Sequence, residues 1–369
     1  MSYLISDTCS DECSDECSDE CILQELSDEL NRTKSKIDNY IKEWTVIKKN
    51  IHDYEYIYYS SYRKKNVSAI IPTPVSRSYF KFREIYYKYG LQFKNHSKIC
   101  NLAEAPGGFI QSINHLLPDN ISVKIYANSL VSKDNIPTWN SYLKKYRLDY
   151  VYGKNNDGDL CNFTNLLSMI KQVGKSSCDL ITGDGGFDYS NDYSGQESDS
   201  LRLIYSEIFM ALNIQAKGGT FICKIFDTFM KETIDLLYYL TLFYEKVYLY
   251  KPKISRNSNS EKYIICLNFK GYDHELMNQL CHSFATLKLG LSRSKAFDSK
   301  INAYIHDYTL QQIKSINKGI YMIKNSISNN YPSRDQIIMA INWCKEHDIK
   351  INTECLYLNN SDITRLDSC

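Results

Sequence analysis

The sequence predicts an α/β protein: a seven-stranded, mostly parallel sheet with an antiparallel last strand, extended by helices at both ends. Three observations predict it. Between about Val67 and Lys270, apolar strand-like runs alternate with helical patterns, as a parallel sheet with crossover helices does. The last two runs, "KVYLYK" and "KYIICLNF", are joined by the polar "PKISRNSNSE", which suits an antiparallel hairpin. The stretch "NLAEAPGGFIQSINHLL" (Asn101 to Leu117) sets Pro106, Gly107 and Gly108 between an apolar run and a helix. Such a turn is where a nucleotide-like ligand sits in an open α/β sheet. A plain turn and helix start reads the same way.

Taken in order, the chain opens with "SDTCSDECSDECSDEC", which places Cys9, Cys13, Cys17 and Cys21 four apart. A short acidic repeat cannot bury a core, so residues 1–21 read as disordered. A soft-metal site on a helical thiol stripe is the alternative, and no metal is assigned. Residues 22–66 read as a helical segment, because Leu23, Leu26, Leu30, Ile37, Ile41, Trp44, Ile47 and Ile51 recur at helical spacing. The sheet domain spans 67–271, its strands being "SKICNLA", "SVKIYA", "LDYVYG", "CDLITGD", "GTFICKIF" and the hairpin pair. Residues 272–369 read as a helical extension, from "HELMNQLCHSFATLKL", "LQQIKSINKGIYMIK" and "RDQIIMAINWCKEH".

The 369 residues carry a formal net charge of +1, so any nucleic-acid surface is a local patch and not a global field. No stretch approaches the ~20 apolar residues of a membrane span. Of the 13 cysteines, Cys100, Cys223 and Cys266 sit in apolar strand runs, as free core thiols do. A reducing compartment, the cytoplasm, is the simplest placement; the nucleus stays open, as do host cytoplasm and virion for a viral chain.

Four further segments carry chemistry: "SRSYFKFREI" (76–85), "LAEAPGGF", "DLITGDGGFD" (179–188) and "GGTFICKIFDTF" (218–229). The hairpin then supplies Glu261. Together they resemble the FtsJ-like RNA ribose 2′-O-methyltransferases, over roughly Pro72 to Lys270. The fold implied is the Rossmann-like methyltransferase fold. That family carries a Lys-Asp-Lys-Glu tetrad, and in matching contexts this chain has Lys81, Asp184, Lys224 and Glu261. Within the family, "GDGGFDYSNDYSGQE" and "KPKISRNSNSEKYIIC" look most like the mRNA-cap enzymes of eukaryotes and large DNA viruses. The resemblance implies S-adenosylmethionine as cofactor and RNA, the capped 5′ end of mRNA, as substrate, with partners in a capping or transcription complex. It implies cofactor contacts from Ala105, Pro106, Gly107, Gly108, Phe109, Asp159 and Asp184. Asn128 stands where the family often has an acid for the cofactor ribose. Asp159 reads equally as a turn or cap residue.

A ribose hydroxyl is a poor nucleophile at neutral pH and needs a base. A lysine serves once its pKa is lowered, and a second lysine nearby lowers it. Lys224, in an otherwise apolar run, is the expected base and Lys81 its cationic neighbour; Asp184 and Glu261 orient the two ammonium groups. Arg77, Lys253 and Arg256 are the expected phosphate contacts, and Arg83 and Lys251 border the same segments. Three other readings stay open. They are a ribosomal or transfer RNA ribose methyltransferase, a non-catalytic RNA-binding subunit of a capping complex, and a dehydrogenase. The last is disfavoured by the lack of G-x-G-x-x-G spacing.

Overall fold

The computed structural model describes residues 2–6, 16–59, 62–131, 138–186, 195–327 and 331–359. Its strands are β1 (Ser2–Leu4), β2 (Lys98–Leu102), β3 (Lys124–Ala127), β4 (Leu148–Tyr150), β5 (Cys178–Gly183), β6 (Gln215–Ile225), β7 (Tyr244–Tyr250) and β8 (Lys262–Phe269). They form one eight-stranded sheet in the order β1-β7-β8-β6-β5-β2-β3-β4. Strands β2 to β6 pair in parallel, while β8 runs antiparallel between β6 and β7. The expected antiparallel last strand is present, inserted two places from the edge, inside β1 and β7.

The sheet is held by side chains that alternate between its faces, as strand geometry requires. Ile99, Leu180, Ile222 and Ile265 point to one layer. Their neighbours Cys100, Ile181, Phe221 and Ile264 point to the other. The first layer is covered by α3 (Ser78–Lys88) and α4 (Gly108–Leu116), through Phe82, Ile85, Phe109 and Ile113. The second is covered by α5 (Phe163–Val173), α6 (Gln196–Ile214) and α7 (Lys231–Phe243), through Leu166, Ile208 and Leu237. Cys100, Cys223 and Cys266 are buried free thiols.

The expected N-terminal helix is two, α1 (Glu16–Ser35) and α2 (Ile41–Asn50), broken by a single 3₁₀ turn at Asp38–Tyr40. Beyond the sheet lie α8 (His274–His282), α9 (Lys295–Lys324) and α10 (Arg334–Glu346). Leu30, Ile37, Trp44 and Ile47 pack against Ile313, Ile316 and Ile320 of α9. Gly319 matters here, because a Cβ there would strike the Trp44 ring. Ile41, expected on the apolar face, is exposed.

Within the first 21 residues, expected to be disordered, the described residues are ordered in two places, residues 1 and 7–15 lying outside those described. Ser2–Leu4 pairs antiparallel with β7, and α1 begins at Glu16. The backbone donors and acceptors at the β7 edge give the short strand its place, which a composition argument does not register. Cys9 and Cys13 lie outside the described residues.

Candidate active site

The four side chains singled out in the sequence come together outside the carboxyl ends of β5 and β6. Asp184 follows β5 directly, Lys224 is the penultimate residue of β6, and Glu261 immediately precedes β8. Lys81 lies in the first turn of α3. Lys81 Nζ lies 2.7 Å from Glu261. Lys224 Nζ donates to the Asp184 backbone carbonyl at 2.8 Å and lies 3.4 Å from Oδ1 of its carboxylate. All four side chains are 12–13% exposed.

Tyr263 was not anticipated. It faces Lys224 across the β6–β8 ladder, and cross-strand partners share a face of the sheet. Its hydroxyl donates to Asp184 Oδ1 at 2.8 Å. The signal was available, since Tyr263 is two residues from Glu261 in "SEKY". Ser255 donates to Glu261 Oε1 at 2.9 Å. Lys251 Nζ donates to the Asn259 carbonyl, the Asn259 side chain and the Glu261 carbonyl at 2.7, 2.8 and 2.8 Å. Buried Glu84 anchors the hairpin from below, accepting from the amides of Lys253 and Ile254 at 2.6 and 3.2 Å.

The electrostatics correct the expected pKa order. Burial disfavours the Lys224 ammonium, but Asp184, then Glu261 and Glu207, outweigh it and raise its pKa. Lys81, paired with Glu261, is not among the main influences on it. Burial pushes Glu261 up, yet Lys81, Lys224 and Lys251 bring its carboxyl down to about 2. The lysine whose pKa falls well below normal is Lys251, through burial and then the Lys262 charge, with Lys81 adding to it.

Two buried carboxyls flank this group. Burial pushes Glu207 up to about 8; its Oε2 accepts from the Cys223 thiol at 3.3 Å. Glu104, in the turn after β2, is raised well above the usual range by burial and by Asp184. Its Oε1 accepts from the Phe109 amide at 2.7 Å. Glu104 Oε2 is buried with no hydrogen-bond partner among the described residues. An orphan of that kind calls for an explanation such as an absent ligand.

The other expected residues are placed as follows. Gly107 caps α4 at φ +106°, and a Cβ there would collide with Leu143. A Cβ on Gly108 would strike the hydroxyls of Ser76 and Ser78. Both glycines are thus required by the protein's own packing, whatever ligand approaches. Ala105 and Pro106 are half-buried in the same turn. Phe109, expected beside the cofactor, is wholly buried against Phe82 and Tyr263. The Asn128 amide is fully used inside the protein. It donates to the Val151 and Gly158 carbonyls and accepts from the Ala103 amide. Asp159 accepts from the Cys161 amide at 2.8 Å, the turn role of its two readings.

The expected phosphate contacts also turn inward. Arg77 donates to the carbonyls of Tyr58 and Ile254, and burial lowers it to about 10. Arg256 holds Glu55 through two bonds of 2.9 and 2.6 Å. Arg83 grips the His347 and Asp348 carbonyls. Glu55 and α10 lie outside the segments that suggested these roles, so the sequence motifs did not reveal the partners. Lys253 is about half exposed and pairs with Glu346 at 3.3 Å. Asp188 lies outside the described residues.

A largely parallel sheet with charged groups gathered beyond its strand ends defines an open-sheet α/β protein, the class in which ligands sit outside the carboxyl ends of the strands. The chain belongs to the FtsJ-like methyltransferase family, whose model matches residues 74–269. It is 30% identical over 272 residues to the Drosophila melanogaster protein named cap-specific mRNA (nucleoside-2′-O-)-methyltransferase 2, covering 67% of this chain and 37% of that one. The Pongo abelii protein of the same name is 31% identical over 245 residues, covering 61% and 31%. A Trypanosoma cruzi cap-specific mRNA (nucleoside-2′-O-)-methyltransferase 1 is 29% identical over 203 residues, covering 55% and 54%. The chain thus spans about a third of the first two relatives' length.

Proposed function

We propose that this protein is an S-adenosylmethionine-dependent RNA ribose 2′-O-methyltransferase acting on the capped 5′ end of mRNA. The single observation that carries the reading is the meeting of Lys81, Glu261, Lys224 and Asp184 beyond the ends of β5 and β6. The names of the relatives favour capped mRNA over ribosomal or transfer RNA. The cofactor fits the turn after β2, where Glu104 Oε2 is a buried polar atom with no hydrogen-bond partner among the described residues. The 104–107 backbone and Asp184 would hold it, and the bound cofactor supplies an electrophilic methyl group.

The chain's own part is to place and deprotonate the ribose hydroxyl. Lys224 Nζ is placed to take the 2′-hydroxyl proton, and the oxygen's new bond to the methyl carbon would replace the methyl's bond to the sulfonium sulfur, the thioether S-adenosylhomocysteine leaving. Asp184, braced by Tyr263, fixes the direction of Lys224. Glu261 holds Lys81 beside it, so the second ammonium stabilises the developing oxyanion. Because the surrounding acids raise the pKa of Lys224, turnover runs through the small neutral fraction and accelerates as pH rises.

Methyl transfer to a short capped RNA and its uncapped twin, with the modified nucleotide mapped by mass spectrometry, tests the reading. A 2′-O-methyl group near the cap of the capped RNA alone supports it. Equal methylation of both RNAs favours the ribosomal or transfer RNA alternative. No transfer to either, with cofactor bound, favours the non-catalytic one.

A further inference from the structure

Residues 41–59 precede the part of the chain that matches the family, yet they meet the catalytic hairpin at a dense gathering of cations. Lys48 and Lys49 lie in the last turn of α2. Arg77 immediately precedes α3, and Arg256 lies in the loop before β8. The two arginines share one buried acid, Glu55, at 3.3 and 2.6 Å. Burial, then Arg256 and Lys49, disfavour the Lys48 ammonium and outweigh the opposing pull of Glu55, so the positive charges act on one another. The two lysines are half-buried, and Lys49 Nζ is held 5.6 Å from the centre of the Tyr59 ring. Tyr59 is itself stacked on Tyr56, 5.2 Å away with the rings inclined by 9°.

Glu55 is bonded to both arginines and also favours the Lys48 ammonium, so one buried acid is shared among these cations. Holding like charges together destabilises a fold through self-repulsion, and an anionic ligand removes that cost. The position identifies the anion. Arg77 is one helical turn from Lys81, and Ser255, next to Arg256, donates to Glu261 Oε1. A ribose placed at Lys81 and Lys224 carries phosphates on both sides along its strand.

We infer that Lys48 and Lys49 of the N-terminal segment form a phosphate-binding wall for single-stranded RNA. Arg77, Arg256 and Glu55 fix its position against the catalytic hairpin, and Tyr59 steers Lys49. RNA contact thereby moves from the arginines, which face inward, to lysines outside the family's own domain. The inference rests on the proposed RNA substrate and deepens it.

The test is binding of a labelled capped decanucleotide, by fluorescence anisotropy, across a series of salt concentrations. The variants are Lys48→Ala/Lys49→Ala and the charge-keeping Lys48→Arg/Lys49→Arg. Lys171→Ala/Lys217→Ala is a control of equal charge, placed toward the amino-terminal ends of β5 and β6. Each single-strand phosphate contact contributes about 0.7 to the slope of log affinity on log salt, so the first variant should lose about 1.4. The arginine pair should restore the slope and the control should keep it. S-adenosylhomocysteine binding by calorimetry should be unchanged in all three, which also shows that they fold. An unchanged slope in the alanine pair, or an equal loss in the control, overturns the inference. If no RNA is methylated but the slope falls as described, the proposed reaction fails and the phosphate wall stands.

Discussion

Lys224 and Lys251 are both enclosed lysines at the carboxyl ends of neighbouring parts of the sheet, and their charges are driven in opposite directions. Burial disfavours the ammonium in each. Lys224 looks toward Asp184, Glu261 and Glu207, and its pKa rises. Lys251 looks toward neutral carbonyl oxygens and an asparagine, with Lys262 and Lys81 close by, and its pKa falls well below normal. The difference teaches that burial pushes both lysines down, and that the charged neighbours decide whether that push prevails: acids overcome it at Lys224, while at Lys251 nearby cations add to it against Glu261 and Asp227. It also divides the labour. The lysine beside acids is placed for chemistry, and the lysine beside carbonyls holds the loop that delivers Glu261.

The largest expected effect breaks the first half of this pair. Lys224→Ala should lower the single-turnover rate by about 10²–10⁴-fold, the usual contribution of a general base, while calorimetry shows the cofactor still bound. Lys224→Arg should not restore the rate, because a guanidinium stays protonated. A near-normal rate in the arginine variant would leave Lys224 a positioning charge only.

A smaller loss should come from the second half. Lys251→Met removes the donors that tie residue 251 to Asn259 and to the backbone of Glu261. The expected outcome is a fall in kcat on the order of 10–10²-fold with KM for RNA little changed, as for a misplaced reacting group. A full-rate enzyme would show that Glu261 is held well enough by Ser255 and Lys81.

Acid should expose the same carboxylate. The folded pKa of Glu261 is depressed, so its stabilisation is present above the unfolded value, near 4.5, and is lost as pH falls through about 2. Urea unfolding of the wild type should therefore lose stability between those limits, with a contribution from this group on the order of 3 kcal/mol. Glu261→Gln should flatten the loss. Equal acid sensitivity in both proteins would contradict the assignment.

How much of this was legible in the sequence depends on the range of the interaction. Seven strands could be read because Ile99/Cys100 or Phe221/Ile222 alternate between two covered faces, a short-range pattern. Strand β1 could not be, since three residues are too short to carry a period before the acidic repeat, and pairing with β7 gives them structure. Lys81, Asp184, Lys224 and Glu261 could be picked out from local context. Their electrostatic balance could not, because the acids acting on Lys224 come from α6, the turn after β5 and the hairpin. Arg77 and Arg256 looked like phosphate ligands for the same reason: Glu55, which holds them, is some 20 and 200 residues away in the chain.

The smallest expected effect concerns the edge beside Lys251. Deleting residues 1–6 removes the partner of β7, whose last residue precedes Lys251. Hydrogen exchange should quicken at the β7 amides that face β1, with methyl transfer reduced only a few-fold, since edge pairs of this length contribute roughly 1 kcal/mol or less per cross-strand contact. Complete loss of activity would give the N-terminal strand a larger part than the sheet implies.

The comparison itself can be read directly by nitrogen-15 NMR titration of lysine Nζ in the ligand-free protein, with Lys224→Arg and Lys251→Arg supplying the assignments. The expected result is one resonance that titrates above the exposed lysines and vanishes in Lys224→Arg. A second should titrate far below them and vanish in Lys251→Arg. Titration of Lys224 below the exposed lysines, or of both on the same side of them, would contradict the claim that neighbouring acids and cations set these two charges apart.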